Sequence, residues 1–341
     1  MRRTRWQQRL YRIWYGKSVV CIALLPLSWL YCAVTAVRRV GYRSGLLATT
    51  RLDSRVIVVG TISVGGTGQT PMVGALGERL QQAGFSVGLV TRGYLGRASH
   101  WPQAVSANSD PQQLGDEAVL LARRTRAAVF AGPQRVAAGR ALLQRAPRDV
   151  LICDDGLQHY ALYHDVEIAT VDMARGHGNG WCLPAGPLRE PPSRLQQVDA
   201  VVALGGGPGD GHTMQLLPAA ACRITDPAKR RDLDSFRGNV LHAVAGIGDP
   251  ERFFTLLRGA GLTIQPHAFA DHHPFRAEDL DFADDRPVLM TEKDALKCEA
   301  FSKENWWFVP VDAQLDAAFY DWLFNVVDKR MNREGLEGNN G

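Results

Sequence analysis

One nine-residue stretch constrains the fold of this chain more than any other: Ser63-Val64-Gly65-Gly66-Thr67-Gly68-Gln69-Thr70-Pro71. It follows a β-branched run, Val56 to Val59, and opens a helical pattern from about Pro71 to Ala83. Glycines between a strand and a helix let backbone N–H groups curl around phosphate oxygens, and the helix N-terminus adds a favourable dipole. Thr70 stands where a phosphate loop places its Mg2+-binding hydroxyl. The lysine that reaches the β- and γ-phosphates belongs at position 69, and the chain has Gln69 there. Gln donates a hydrogen bond but brings no charge. Loss of one such electrostatic contact typically costs about 3–4 kcal/mol in barrier. Arg92, Lys293 and Arg189 are the cations that the sequence offers in compensation.

The rest of the body repeats the strand–helix rhythm. Strands are expected over Ser86 to Thr91, Ala127 to Ala131, Val150 to Cys153, Val166 to Val171 and Ala200 to Leu204, with helices over Ala118 to Thr125 and Val136 to Arg145. This is the signature of a mostly parallel sheet covered by helices on both faces. Gly205-Gly206-Gly207-Pro208-Gly209 interrupts the rhythm and reads as the start of a link. It resumes with Val240 to Ala245, a helix over Pro250 to Arg258, Thr263 to Phe269, Val288 to Thr291 and Trp307 to Val311. The expected architecture is α/β: a three-layer α/β/α phosphate-loop lobe over residues 51–235 and a smaller α/β lobe over 236–330 that closes over the site. A head over 1–50 precedes them, and residues 331–341 read as a flexible tail.

Charge separates the head from the body. The formal net charge of the 341 residues is only +4, yet residues 1–55 hold 11 Lys and Arg against Asp53 alone, a balance of +10. The remaining residues hold 28 basic and 34 acidic side chains, a balance of −6. Between the basic clusters, Ser18 to Val37 runs for twenty residues without a charge. As a helix it is ~30 Å long, about one hydrocarbon core. Pro26 and Ser28 weaken a simple spanning helix, and basic residues at both ends with Trp and Tyr nearby suit a helix lying among lipid headgroups. No small-x-small cleavage site precedes the second basic cluster, which argues against a signal peptide. Membrane attachment is expected, with spanning and surface lying both open. The basic excess thus points to anionic lipid and away from nucleic acid. Six cysteines without a C-x-x-C pair form neither a disulfide framework nor a zinc site and suit a reducing compartment.

Three polar clusters carry the remaining chemistry. Asp154-Asp155 follows the strand Val150 to Cys153, where a carboxylate faces the ligand crevice and holds Mg2+ directly or through water. Read blandly, it is an Asp-Gly turn. Gly115-Asp116-Glu117 opens a helix, and Asp271-His272-His273 places imidazoles beside a carboxylate, a pairing suited to taking a proton from a hydroxyl. Lys293 lies in Thr291-Glu292-Lys293-Asp294, after a strand.

In their order these motifs, with Thr91-Arg92-Gly93-Tyr94, Leu183-Pro184-Ala185-Gly186-Pro187-Leu188-Arg189-Glu190-Pro191 and Gly246-Ile247-Gly248-Asp249-Pro250, resemble the tetraacyldisaccharide 4'-kinase family of lipid A biosynthesis over nearly the whole chain. The resemblance implies transfer of the ATP γ-phosphoryl to the 4'-hydroxyl of an acylated glucosamine disaccharide 1-phosphate, at the cytoplasmic face of a bacterial inner membrane. It implies ATP and Mg2+ as cofactors; an obligate protein partner is not implied. Asp116 and His272 are implied as the pair that activates the sugar hydroxyl. Ser63, Val64, Gly65, Gly66, Thr67, Gly68, Gln69, Thr70 and Arg189 are implied at the nucleotide, and Thr70, Asp154, Asp155 and Glu190 near the metal. Gln69 departs from the family's usual Lys.

Two other readings compete. A membrane-associated partitioning ATPase shares the glycine loop, but is expected to carry a further Lys before the two glycines, where this chain has Val64. A non-catalytic nucleotide- or lipid-binding homologue is favoured by Gln69 and disfavoured by Asp116, Asp154, Asp155 and His272.

Overall fold

The computed structural model describes residues 5–16, 18–206 and 211–337. Arg2, Arg3 and Lys17 of the basic head, Gly207 to Gly209 of the expected link, and positions 338–341 of the expected tail lie outside the described residues.

Alternation of apolar residues sets the first sheet. Along β1 (Arg55–Gly60), Ile57 and Val59 enter one core while Val56 and Val58 enter another on the opposite face. In β5 (Val150–Asp154), Val150 and Ile152 part in the same way from Leu151 and Cys153. A strand buried on both faces must be covered twice. Helices α3 (Gln69–Gln82), α5 (Asp116–Arg124) and α9 (Ala317–Glu337) supply one layer, through Met72, Leu76, Val119, Phe319 and Leu323. Helix α6 (Arg135–Arg145) contributes Leu142 to the other.

The sheet has nine strands. Besides β1 and β5 it contains β2 (Val87–Thr91), β3 (Gln103–Val105), β4 (Ala128–Ala131), β6 (Val166–Asp172), β7 (Ala200–Leu204), β8 (His212–Pro218) and β15 (Val311–Leu315). Their order is β15-β8-β7-β6-β1-β5-β2-β4-β3, and β15 and β3 pair antiparallel at the two edges of an otherwise parallel sheet. A short helix α4 (Pro111–Leu114) leads into α5.

The second sheet is smaller, with order β10-β9-β14-β13-β11-β12. Its strands are β9 (Ala221–Arg223), β10 (Arg230–Arg231), β11 (Val240–Ala245), β12 (Thr263–Ala268), β13 (Val288–Thr291) and β14 (Trp306–Val309), with helices α7 (Pro250–Gly259) and α8 (Glu292–Cys298). Against this sheet His242 Nδ1 lies 2.9 Å from His267 Nε2 and its Nε2 3.0 Å from Asp284, with Phe282 stacked on both rings.

The sheets divide the chain differently from the expected boundaries. Strands β9 and β10 precede residue 236 yet join the second sheet, because β9 pairs with β14. At the other end, the expected strand Trp307 to Val311 breaks at Pro310, which has no N–H to give a continuing ladder. After it β15 returns to pair with β8, and α9 packs on the first core. The second lobe is therefore inserted between two neighbouring strands of the first. The expected tail from 331 is helical backbone as far as Glu337.

The N-terminal segment forms α1 (Arg5–Tyr15) and α2 (Val20–Arg43), the latter unbroken through Pro26. One face of α2 is docked. Ser28 Oγ, buried, donates to the Cys182 carbonyl at 2.8 Å, and Tyr31 and Cys32 pack on Ile62, Cys182 and Leu188. Farther along, Arg39 reaches Glu190 at 3.4 Å, and Tyr42 meets the ring of Tyr160. The opposite face exposes Val20, Ile22, Leu27, Leu30, Val34 and Val37.

Candidate active site

The phosphate loop begins where β1 ends. Gly68 caps α3 in the left-handed region (φ 78°), a conformation that favours glycine. Thr67 turns inward to share a 2.7 Å hydrogen bond with Thr170 on β6. Val64 N–H donates to the Pro187 carbonyl at 2.8 Å, which ties the loop to the Leu183 to Pro191 segment. Val64 to Pro71 line a cleft of about 800 Å³ between the lobes. Ser63 is set back, its hydroxyl 3.2 Å from that of Thr61.

Asp154 and Asp155 project from the carboxyl end of β5 into the same cleft. Burial, then the charges of Glu117 and Asp155, push the Asp154 carboxyl up to about 8. Asp155 takes φ 50° and binds Arg189 at 2.6 Å. Arg135, which is buried, donates to the backbone carbonyls of Gly132 and Asp154 and so fixes the strand end. Thr70 lines the cleft with these carboxylates. The donors are all oxygen, which suits a hard divalent cation. Among the described residues no three or more His, Cys, Asp or Glu are grouped to hold a metal unaided. An ion on Thr70, Asp154 and Asp155 would complete its shell with phosphate oxygens and water, as Mg2+ commonly does.

Across the cleft, His272 Nδ1 meets Asp116 Oδ2 at 3.0 Å, although the residues come from different lobes and lie 156 positions apart. Burial opposes ionisation of Asp116, but the His272 hydrogen bond and the Lys293 ammonium outweigh it and hold the carboxyl below its ordinary value. Lys293 is the counter-charge: its Nζ is 2.9 Å from Glu117, 3.9 Å from Asp116 and 3.4 Å from His272 Nε2. Those carboxylates outweigh its burial and raise its pKa, so it stays charged. His272 has φ 56°, and with Leu95 and Asp155 it completes the non-glycine residues of positive φ among those described. Strain of this kind persists where surrounding structure over-determines it, commonly at reactive sites.

A family model for tetraacyldisaccharide-1-P 4'-kinase matches residues 20–328. The chain belongs to the tetraacyldisaccharide-1-P 4'-kinase family. It is 51% identical over 323 residues to the tetraacyldisaccharide 4'-kinase of Nitrosococcus oceani, covering 95% of each chain. It is 46% identical over 333 residues to that of Methylobacillus flagellatus, covering 97% of this chain and 98% of the other. A crystal structure of LpxK from Aquifex aeolicus in complex with ATP superposes with a TM-score of 0.76 at 26% identity, over 91% of this chain and all of that one.

Within this family fold, most of the expected site residues share the cleft. Val64 to Thr70, Asp154, Asp155, Arg189 and His272 line it, and Asp116 stands behind His272. Glu190 does not join them as expected. It is buried to 2% exposure, its oxygens engaged by Gln158 at 2.9 Å, Tyr160 at 2.6 Å and Arg39 at 3.4 Å. These contacts make the Glu190 carboxylate an anchor for α2 and Gln158. Glu117, Arg124, Arg135, Arg252, Tyr31 and Arg38 also line the cleft and were not singled out from the sequence. Their partners are remote in the chain, and no local motif marks them. Glu117 alone carried a signal, as the residue following Asp116.

Proposed function

We propose that this cleft transfers the γ-phosphoryl group of ATP to the 4'-hydroxyl of a tetraacylated glucosamine disaccharide 1-phosphate. The observation that carries the reading is the convergence of three groups on one cleft: the phosphate loop, the Asp154–Asp155 strand end and the interlobe Asp116–His272 pair. Phosphoryl transfer needs positioning and charge neutralisation more than covalent chemistry. Backbone N–H groups of Gly65 to Thr70 cradle the nucleotide phosphates. Asp116 orients the His272 imidazole, and the pair takes the hydroxyl proton as the sugar oxygen bonds to the γ-phosphorus and the bond to ADP breaks. Lys293 keeps Asp116 ionised for that task. Thr70, Asp154 and Asp155 would hold Mg2+, which neutralises charge on the phosphates when bound.

The head places this chemistry at a membrane. Tyr31 and Arg38 of α2 line the cleft itself, while the apolar face of the same helix points away from the body. The docking of α2 along one face, from Ser28 to Tyr42, supports a helix lying in the headgroup region of the inner membrane. A glycolipid whose acyl chains remain in the bilayer can then present its sugar to the cleft.

Incubation of the purified protein with Mg-ATP and the tetraacyldisaccharide 1-phosphate is expected to yield the 1,4'-bisphosphorylated lipid. ATP binding without product at high enzyme would overturn the kinase reading in favour of a binding homologue, the alternative that Gln69 raises.

A further inference from the structure

Gln69 leaves the phosphate loop without its own cation, and its side-chain Nε2 is buried without a hydrogen-bond partner among the described residues. The compensating cations suggested by the sequence have other engagements. Lys293 is held by Glu117, Asp116 and Asp271 beside the proton-accepting pair. Arg189 is held by Asp155 and Gln158, and Arg92 lies over the Tyr94 ring.

Another cation stands at the loop. Arg252, on α7 of the second lobe, donates through Nη1 to the Gly66 carbonyl at 3.3 Å and lines the cleft. Its Nη2 is paired with Asp172 at the end of β6 and lies 3.6 Å from Asp249. Arg175, from the first lobe, forms the reciprocal pair, 2.9 Å from Asp249 and 3.2 Å from Asp172. This crossed arrangement permits Arg252 to leave. Asp172 would keep Arg175 and the Ala174 N–H at 3.1 Å, so neither carboxylate is stranded without a donor when the Arg252 guanidinium turns to another anion. A nucleotide phosphate in the loop is such an anion, and a guanidinium binds phosphate bidentately.

We propose that Arg252 is the catalytic cation of this chain. Delivered from the second lobe, it contacts the β- and γ-phosphates of ATP in place of the lysine missing at position 69, with Arg175 positioning it through Asp172 and Asp249. The proposal rests on the kinase reading above and names a residue that the reading does not require.

The test is a double-mutant cycle in the full-length protein, with kcat, KM and ATP affinity measured for wild type, Arg252→Ala, Gln69→Lys and the double variant. Arg252→Ala is expected to lower kcat by about a hundred- to a thousandfold. With Lys at position 69 the same change is expected to cost no more than about tenfold, because the charge is already supplied. Arg252→Lys, which keeps the charge, should recover much of the loss. Arg258→Ala, on the solvent side of the same helix where Arg258 pairs with Glu251, controls for general loss of charge. An equal fold-loss from Arg252→Ala in both backgrounds would identify a structural interlobe latch and overturn the proposal. So would Arg252→Ala at the wild-type rate. Should the alanine variant fail to fold, Arg252→Gln in both backgrounds is read by the same criterion. An inactive wild type would overturn the kinase reading itself, whereas an active wild type indifferent to Arg252 overturns this assignment alone.

Discussion

At the scale of single residues the site depends on where charge is held. Asp116 is kept ionised in a buried place by His272 and Lys293, so Asp116→Asn removes both the charge and the alignment of the imidazole. It is expected to lower kcat by about two to four orders of magnitude with ATP affinity retained, as steady-state rates and equilibrium ATP binding would show. His267 makes a different prediction. Burial, then the neighbouring His242, lower its pKa to about 4, so the fold keeps it neutral. Between pH 6.5 and 4 the unfolded chain takes up a proton that the native state refuses, and stability is lost as the pH falls through that window. Melting temperatures at pH 7 and pH 5 should therefore differ more for wild type than for His267→Gln. The aspartates and His272 take their expected roles only from the order of motifs that carries the family resemblance; the loop was legible in the sequence because strand, glycines, hydroxyl and helix are contiguous. The Arg252–Asp172 and Lys293–Glu117 pairs were not, since only the packing of two lobes makes distant charges neighbours. Glu190 is placed near the metal by the family resemblance alone; its burial among donors could not be read from the chain.

At the scale of elements, helix α2 presents two different faces. Ser28 and Tyr31 lie on the face that fixes it to the first lobe, and the apolar stripe opposite them is exposed. The uncharged run announced the helix; the docked face was concealed because the partners of Ser28, Tyr31 and Cys32 lie far away in the chain. Changing Leu30 and Val34 together to Glu leaves the docked contacts in place, so stability should shift by less than about 0.5 kcal/mol per site. Flotation with anionic vesicles should fall sharply, and phosphorylation of vesicle-borne substrate should fall with it. Vesicle binding at the wild-type level would refute the surface-lying helix. Helix α9 was overlooked despite Phe319, Leu323 and Val327 at four-residue spacing, a helical face that packs on the first core.

On the scale of the whole molecule, the decisive feature is that β8 and β15 are neighbours in space, Pro218 beside Val311, with the entire second lobe between them in the chain. A chain ended after Pro310 lacks β15 and the Phe319, Leu323 and Val327 contacts of α9. It should accumulate in the insoluble fraction and be cut rapidly by protease, while the full chain is soluble and resistant. The same feature sets a schedule for biosynthesis. About 90 residues must be translated between the two strands, roughly 5 to 20 s at ordinary rates of synthesis. For that interval β8 presents a bare edge, the kind of template on which chains associate wrongly. Strand β15 and the α9 residues that follow it thus determine when a nascent chain becomes safe, and a ribosome stalled before them releases an aggregation-prone product.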